Sequence, residues 1–117
     1  MPVITSTDFP KAKEKELRKV LPGPWIPAVN SVGIKVGFMV RRLADIYINH
    51  RGVHYWDTCA PQIILEEAGG TFTYWNGKVL DYSMAKGDYC HPFQTLATNA
   101  RRHAEVLKLL KPRQLLA

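Results

Sequence analysis

The residues with the clearest chemical potential lie in the segment HYWDTCAPQIILEEAGG, which covers residues 54–70. One acid, Asp57, follows two aromatic residues and precedes an apolar run that ends in two glycines. Two interpretations of Asp57 are open. It caps the start of a helix, which contributes roughly 0.5–2 kcal/mol, or its carboxylate binds a metal ion there. Spacing alone favours the cap, and Trp56 is then expected in the core.

The remaining candidate metal ligands do not form a recognisable set. His50 and His54 are four residues apart in the loop-like stretch NHRGVHYW, and His ligands need a defined geometry and further partners. Cys59 and Cys90 are not part of a CxxC pair. We therefore expect neither a zinc site nor a disulfide framework, and two cysteines fit a reducing cytoplasm.

The segment WDTCAPQIILEEAGG resembles the second signature of the inositol monophosphatase superfamily, whose members are magnesium-dependent, lithium-sensitive phosphatases. That signature is Trp-Asp, a few small residues, an apolar run and a final Gly-Gly. The segments VGIKVGFMVRRLADIYIN, NGKVLDY and TLATNARRHAEVL are similar to the family's surrounding segments, so the resemblance to its C-terminal domain covers residues 3–112.

Within this superfamily, WDTCAP and Lys35 are most similar to the 3′(2′),5′-bisphosphate nucleotidases. These enzymes remove the 3′-phosphate from adenosine 3′,5′-bisphosphate, a by-product of sulfate activation. Inositol phosphatases usually carry Glu seven residues before the signature Asp, where this chain has His50. An inositol monophosphatase-like enzyme is therefore the second expectation.

The resemblance implies roles for five residues. Asp57 is the magnesium ligand, because Mg²⁺ prefers carboxylate and phosphate oxygens. Ser31, Gly33 and Lys35 match the segment that faces the nucleotide, and a helix start with one ammonium group suits a phosphate. His54, with Tyr55 as the alternative, is a candidate to flank the base. Other interpretations stay open: a solvated or snorkelling Lys35, and a His54 or Tyr55 that is only a loop or packing residue.

The chain departs from the family in what it lacks. TSTDFP has no counterpart of the family's Ser-Arg-Ser-His run, and Asn30 replaces a common Gly. The upstream Glu and the Asp-Pro-x-Asp-Gly-Thr segment, which supply most metal ligands, do not occur. Because a two-metal site shares several acids, we expect an absent N-terminal metal-binding domain, no complete catalytic set, and an inactive fragment. For partners, we expect pairing with the missing half or self-association. For function, the alternative is a non-catalytic module that binds nucleotides or anions.

Composition limits the classes of function. A length of 117 residues suits one domain. No apolar run reaches the roughly 18 residues of a membrane span, and the N-terminus has no secretory signal, so a cytoplasmic protein without membrane contact is expected. The formal charge of +6 attracts anions. The basic residues are scattered without interleaved aromatics, which favours a small nucleotide substrate over a nucleic-acid polymer.

Strand and helix signals alternate along the chain and predict an α/β domain, with a mixed sheet of about five strands and helices on both faces. Strands are predicted at residues 2–7, 25–29, 45–49, 71–75, 78–82 and 95–98, and helices at residues 8–21, 30–44, 56–68 and 100–110. Asn76-Gly77 predicts a hairpin turn.

Caps and faces follow from the same patterns. Asp8 is predicted to cap the first helix, Asn30 or Ser31 the second, and Gly69 or Gly70 to end the third. The third helix is expected to turn four residues inward: Cys59, Ala60, Ile63 and Ile64.

Overall fold

The computed structural model describes residues 1–50, 53–83, 89–99 and 102–110. Within these residues one sheet has four strands in the order β1-β2-β4-β3. They are β1 (Val3–Ile4), β2 (Ile46–Ile48), β3 (Thr71–Tyr74) and β4 (Thr95–Thr98). β1 pairs with β2 in parallel, whereas β4 is antiparallel to both of its neighbours. The predicted mixed sheet is therefore confirmed.

Helices cover both faces of this sheet, as predicted. They are α1 (Lys11–Arg18), α2 (Val32–Val40), α3 (Tyr55–Glu67) and α4 (His103–Leu110). Successive strand residues point to opposite faces, so Tyr47 joins a core with α2 and α3, while Ile46 and Ile48 join a core with α1 and α4. In the described part of the chain, no helix is long and apolar enough to cross a membrane.

The sheet brings two helix starts to one edge. β1 and β2 are parallel, so their carboxyl ends lie at the same edge. The segment before α2 is tied to this edge, because the Val29 N–H donates to the Thr5 carbonyl at 3.1 Å. α3 begins seven residues after β2 ends and packs against α2.

Two predicted strands shorten to single bridges. The 25–29 segment pairs with β1 only through Trp25 and Val3, and the 78–82 segment pairs with β3 only through Val79 and Thr73. The predicted turn at Asn76-Gly77 is present: Gly77 has φ +85°, and the Tyr74 N–H donates to Lys78 O at 3.0 Å. The turn depends only on the residues within it, whereas the length over which two strands pair depends on the rest of the sheet.

The predicted cap of α1 is wrong. Pro10, not Asp8, occupies the N-cap position, and no side chain caps the helix. The buried Phe9 explains the difference: its N–H donates to Ser6 O at 3.1 Å. The resulting turn directs Phe9 into the core before the helix begins, while Thr7 and Asp8 stay exposed.

The predicted inward face of α3 is also wrong. All four residues expected inside are exposed or partly exposed: Cys59, Ala60, Ile63 and Ile64. Thr58 and Leu65 are buried instead, seven residues apart on one face. Trp56 was expected in the core, yet 66% of its surface is exposed. Since apolar residues occur on several sides of this helix, its sequence pattern does not specify which side faces the sheet.

Candidate functional site

Asp57 lies in the first turn of α3, with its carboxylate at the helix start. Oδ2 accepts a hydrogen bond from the backbone N–H of His54 at 3.1 Å, and His54 Nδ1 lies 3.6 Å from the same oxygen. The side chain remains 36% exposed. Asp57 is thus a helix-capping residue, but both of its contacts within the described ranges use one oxygen. Oδ1 is available to a ligand.

A proline adds a second oxygen at this position. Pro61 lies inside α3 and has no N–H to donate to the carbonyl of Asp57, four residues earlier. The WDTCAP sequence therefore presents one carboxylate oxygen, Oδ1, that the helix cap does not use, and a backbone carbonyl to which Pro61 cannot donate. Hard oxygen ligands of this kind are those that Mg²⁺ prefers.

His54 stacks on Trp56 beside the carboxylate. The two rings are 4.1 Å apart between centroids and nearly parallel, at 9°. His54 is half-exposed. This pair is a flat, exposed platform next to Asp57, a surface on which another planar group can stack.

Ser31 and Gly33 form the start of α2. Ser31 is the N-cap, as one of the two predicted alternatives, and its Oγ accepts from the Ile34 N–H at 3.3 Å. A Cβ added at Gly33 would lie 3.8 Å from Ser31 Oγ and within 4 Å of no other atom in the described structure. Gly33 is exposed, so a ligand can approach the backbone here closely.

Lys35 is buried one turn further along α2, with only 1% of its surface exposed. Its Nζ donates to Val29 O at 2.6 Å and lies 5.2 Å from the centre of the Tyr47 ring. Burial lowers the pKa of Lys35 to about 8, although the charges of Asp8 and Asp57 partly oppose this. Lys35 is therefore not the solvated lysine of the alternative interpretation.

The charge of Asp8 acts on Lys35, which the sequence patterns did not predict. This charge and that of Asp57 both raise the pKa of Lys35, so the two acids lie on the same side of the molecule as this ammonium group. Asp8 follows β1, where the residue pattern predicted a helix cap instead. Its position at the carboxyl end of a parallel strand was the available signal.

The predicted residues are brought to the same edge, but they do not make a complete metal site. Among the described residues there is no group of three or more His, Cys, Asp or Glu side chains that could hold an ion. His50 contacts Phe9 through an edge-to-face ring pair at 5.4 Å. Asp57 fits the donor chemistry of one magnesium ligand.

A family model described as the inositol monophosphatase family matches residues 4–112. This chain belongs to that family. A stretch of 55 residues is 38% identical to human 3′(2′),5′-bisphosphate nucleotidase 1, covering 46% of this chain and 18% of that protein. A stretch of 45 residues is 42% identical to zebrafish (Danio rerio) inositol monophosphatase 3, covering 38% of this chain and 13% of that protein.

The fold agrees with the family. The structure of inositol monophosphatase II from Staphylococcus aureus superposes with a TM-score of 0.75 at 19% identity. That comparison covers 99% of this chain and 44% of the other. The family member described here thus spans less than half the length of the solved structure it matches.

Proposed function

We propose that this chain is the C-terminal part of a magnesium-dependent phosphatase that removes the 3′-phosphate from adenosine 3′,5′-bisphosphate. The observation that carries the proposal is the exposed Asp57 carboxylate at the start of α3, on the same side as Lys35. Membership of the family supports phosphate-ester hydrolysis. The identity with a bisphosphate nucleotidase supports the nucleotide substrate.

In this function Asp57 contributes one carboxylate to the metal site, through Oδ1. Its bond to the His54 N–H uses Oδ2, and the side chain remains 36% exposed. A bound Mg²⁺ supplies polarisation of the phosphate and activation of water. Acids outside these 117 residues complete the site, and we do not expect the chain alone to be active.

The start of α2 binds the second phosphate of the substrate. The backbone N–H groups near Gly33 and the partial positive charge of the helix start attract an anion. Lys35, with a pKa of about 8, is mainly protonated at pH 7. Its ammonium group exchanges the Val29 carbonyl for phosphate oxygens, and the platform of His54 and Trp56 stacks on the base.

The outer side of α3 binds the protein that carries the missing ligands. Ile63 and Ile64 are more than half exposed, as are Ile34 on the neighbouring α2 and Trp56 at the start of α3. Apolar surfaces of this kind usually mark contacts. In isolation the same surface promotes self-association, which sedimentation velocity measures as a concentration-dependent shift from monomer to dimer.

The test is phosphate release from adenosine 3′,5′-bisphosphate in the presence of Mg²⁺. We expect no turnover by the chain alone and turnover once the N-terminal half of a family nucleotidase is added in trans. Asp57→Asn then abolishes the restored activity, whereas Glu105→Gln, a change on the exposed side of α4, leaves it intact. Full activity of the 117 residues without a partner would contradict the proposal.

Two other functions have specific support. Inositol monophosphate is the alternative substrate, and the similarity to zebrafish inositol monophosphatase 3 supports it. A non-catalytic nucleotide-binding module fits the lack of a three-ligand cluster in the described residues. Calorimetric binding of the bisphosphate with no turnover in any reconstituted mixture would favour the module.

A further inference from the structure

The start of α3 is held by a segment that is distant in sequence. The N–H of Tyr55, the first residue of the helix, donates to Tyr89 O at 2.7 Å, and the His91 N–H donates to Val53 O at 2.8 Å. His54 and Cys90 form an antiparallel bridge between these two bonds. Residues 89–91 thus run beside the helix start like a short strand and hold its first residue.

The His91 side chain extends the same contact into the core. Its ring is nearly completely buried. Nε2 lies 2.7 Å from Thr58 Oγ1, and Nδ1 lies 2.9 Å from the hydroxyl of Tyr74. Tyr55 packs edge-on against the imidazole, as does Tyr82. His91 therefore contacts the residue immediately after Asp57, on the buried side of the helix.

The hydrogen bonds around Thr58 have one consistent direction. A carboxylate only accepts, so the Gln62 amide donates to Glu66 at 3.2 Å and turns its oxygen toward Tyr82. Tyr82 donates its hydroxyl proton to that oxygen at 2.6 Å. Its oxygen then accepts from Thr58 at 2.8 Å, which is shorter than the distance of 3.3 Å from Thr58 Oγ1 to its other acceptor, Tyr55 O. The Thr58 oxygen is left to accept from His91 Nε2–H.

The role of the other ring nitrogen of His91, Nδ1, as donor or acceptor follows from this assignment. A neutral imidazole with its proton on Nε2 has an acceptor at Nδ1, to which Tyr74 donates. The Tyr74 oxygen in turn accepts from the Asp81 N–H at 2.9 Å. Burial lowers the pKa of His91, with Asp81 and Asp57 acting weakly in the opposite direction, so the neutral ring is favoured.

We propose that His91 is a positioning residue for the metal site, which through Thr58 and the backbone of residues 89–91 fixes the first turn of α3 and the direction of the Asp57 carboxylate. The inference rests on the proposed role of Asp57 as a metal ligand. Asp57 and Thr58 share a peptide bond, and one of them faces solvent while the other is fully buried. A rotation of this turn that releases Thr58 therefore redirects Asp57.

The experiment uses the complete chain labelled with ¹⁵N and ¹³C. Three-bond couplings from Asp57 Cγ to its backbone nitrogen and carbonyl carbon report whether χ1 is fixed or averaged. Mn²⁺ titration, with the N-terminal half of a family nucleotidase added to complete the ligand set, then measures the broadening of the Asp57 amide signal. We expect a fixed χ1 in the wild-type chain. Thr58→Val and His91→Leu should average it and raise the Mn²⁺ concentration for half-broadening about tenfold, the usual loss when a partner of a metal ligand is removed.

Matched variants separate positioning from stability. Thr58→Ser keeps the hydroxyl and His91→Gln keeps a donor near Nε2, so both should stay within about twofold of the wild type. His103→Leu removes the other buried imidazole, which binds Thr73 and Thr98 at the opposite side of the sheet. It lowers stability without changing the Asp57 couplings.

Three results would overturn the proposal: an averaged Asp57 χ1 in the wild type, unchanged couplings in Thr58→Val and His91→Leu, or an equal effect of His103→Leu. If His91→Leu fails to fold, Thr58→Val decides. A fixed χ1 without Mn²⁺ broadening in the wild type would instead remove the proposed metal function. The coupling measurements would still test the positioning role, so the two failures are distinguishable.

Discussion

The buried Lys35 lowers the stability of this chain, and its replacement should raise it. Lys35 is 1% exposed, and its ammonium group donates to one carbonyl, Val29 O, at 2.6 Å. The difference between the ordinary pKa of 10.5 and a pKa of about 8 corresponds to about 3 kcal/mol against the charged form, since each tenfold change is about 1.4 kcal/mol. Loss of this hydrogen bond, which has a charged donor, removes about 2 kcal/mol of stabilisation. We expect Lys35→Met to raise the free energy of unfolding by about 1 kcal/mol at pH 7.

The pH dependence of the free energy of unfolding gives the sign of the Lys35 contribution independently. Between about pH 8 and 10.5 the unfolded chain keeps the Lys35 proton that the folded chain has released. The unfolded state then binds more protons, so the contribution of Lys35 to the free energy of unfolding becomes more favourable as the pH rises. The advantage of Lys35→Met over the wild type should therefore be full below pH 8 and shrink toward pH 10.5.

Urea unfolding followed by far-ultraviolet circular dichroism measures both effects. Lys108→Met, at an exposed position in α4, is the control and should change stability by less than about 0.5 kcal/mol. The variant that gains stability should lose binding of adenosine 3′,5′-bisphosphate, a trade-off typical of functional sites. A destabilised Lys35→Met, or an advantage that does not change with pH, would refute the desolvation argument.

Four further predictions concern other parts of the fold. Burial lowers the pKa of His103 to about 4, so its contribution to the free energy of unfolding, present above pH 6.5, should be lost as the pH falls toward 4, by up to about 3 kcal/mol. His103→Gln should flatten this dependence in urea titrations at successive pH values. Ile63→Ser with Ile64→Ser should shift sedimentation toward monomer with little loss of thermal stability, and dimers that persist would exclude this surface as the contact. Gly70→Ala should lower the unfolding temperature, because its Cβ would lie 2.6 Å from Leu65 and 2.8 Å from Thr98 O. Gly37→Ala meets nothing within 4 Å in the described structure and should add about 0.5–1 kcal/mol.

Local patterns predicted the elements well because their causes are local. The alternating strands around Ile46 and Leu96, the N-cap Ser31 and the Asn76-Gly77 turn depend on side chains a few residues apart. The Gly-Gly end of the signature also has two separate local reasons. Gly69 adopts φ +91° after α3, and Gly70 allows β3 to approach the helix closely.

Contacts between distant segments could not be predicted in the same way. Nothing in the sequence near Lys35 indicates that its ammonium group lies under the segment before its own helix. The pairing of His91 with Thr58 joins residues 33 positions apart. Cap motifs near Asp8 were misleading because burial of Phe9, a tertiary effect, decides the path of the chain there.

The error over the inward face of α3 follows from a property of the helix itself. A helix that covers one side of a sheet normally has one apolar side and one polar side. α3 buries Thr58 and Leu65 against α2 and the sheet, yet Ile63 and Ile64 lie on its exposed side. A sequence that is apolar on both sides suits a helix between two packed layers. We therefore propose that α3 lies between the sheet described here and a second protein layer, and that Asp57, at the start of this helix, lies where the two meet. A metal site that draws its ligands from both layers, as in the proposed function, would require that contact.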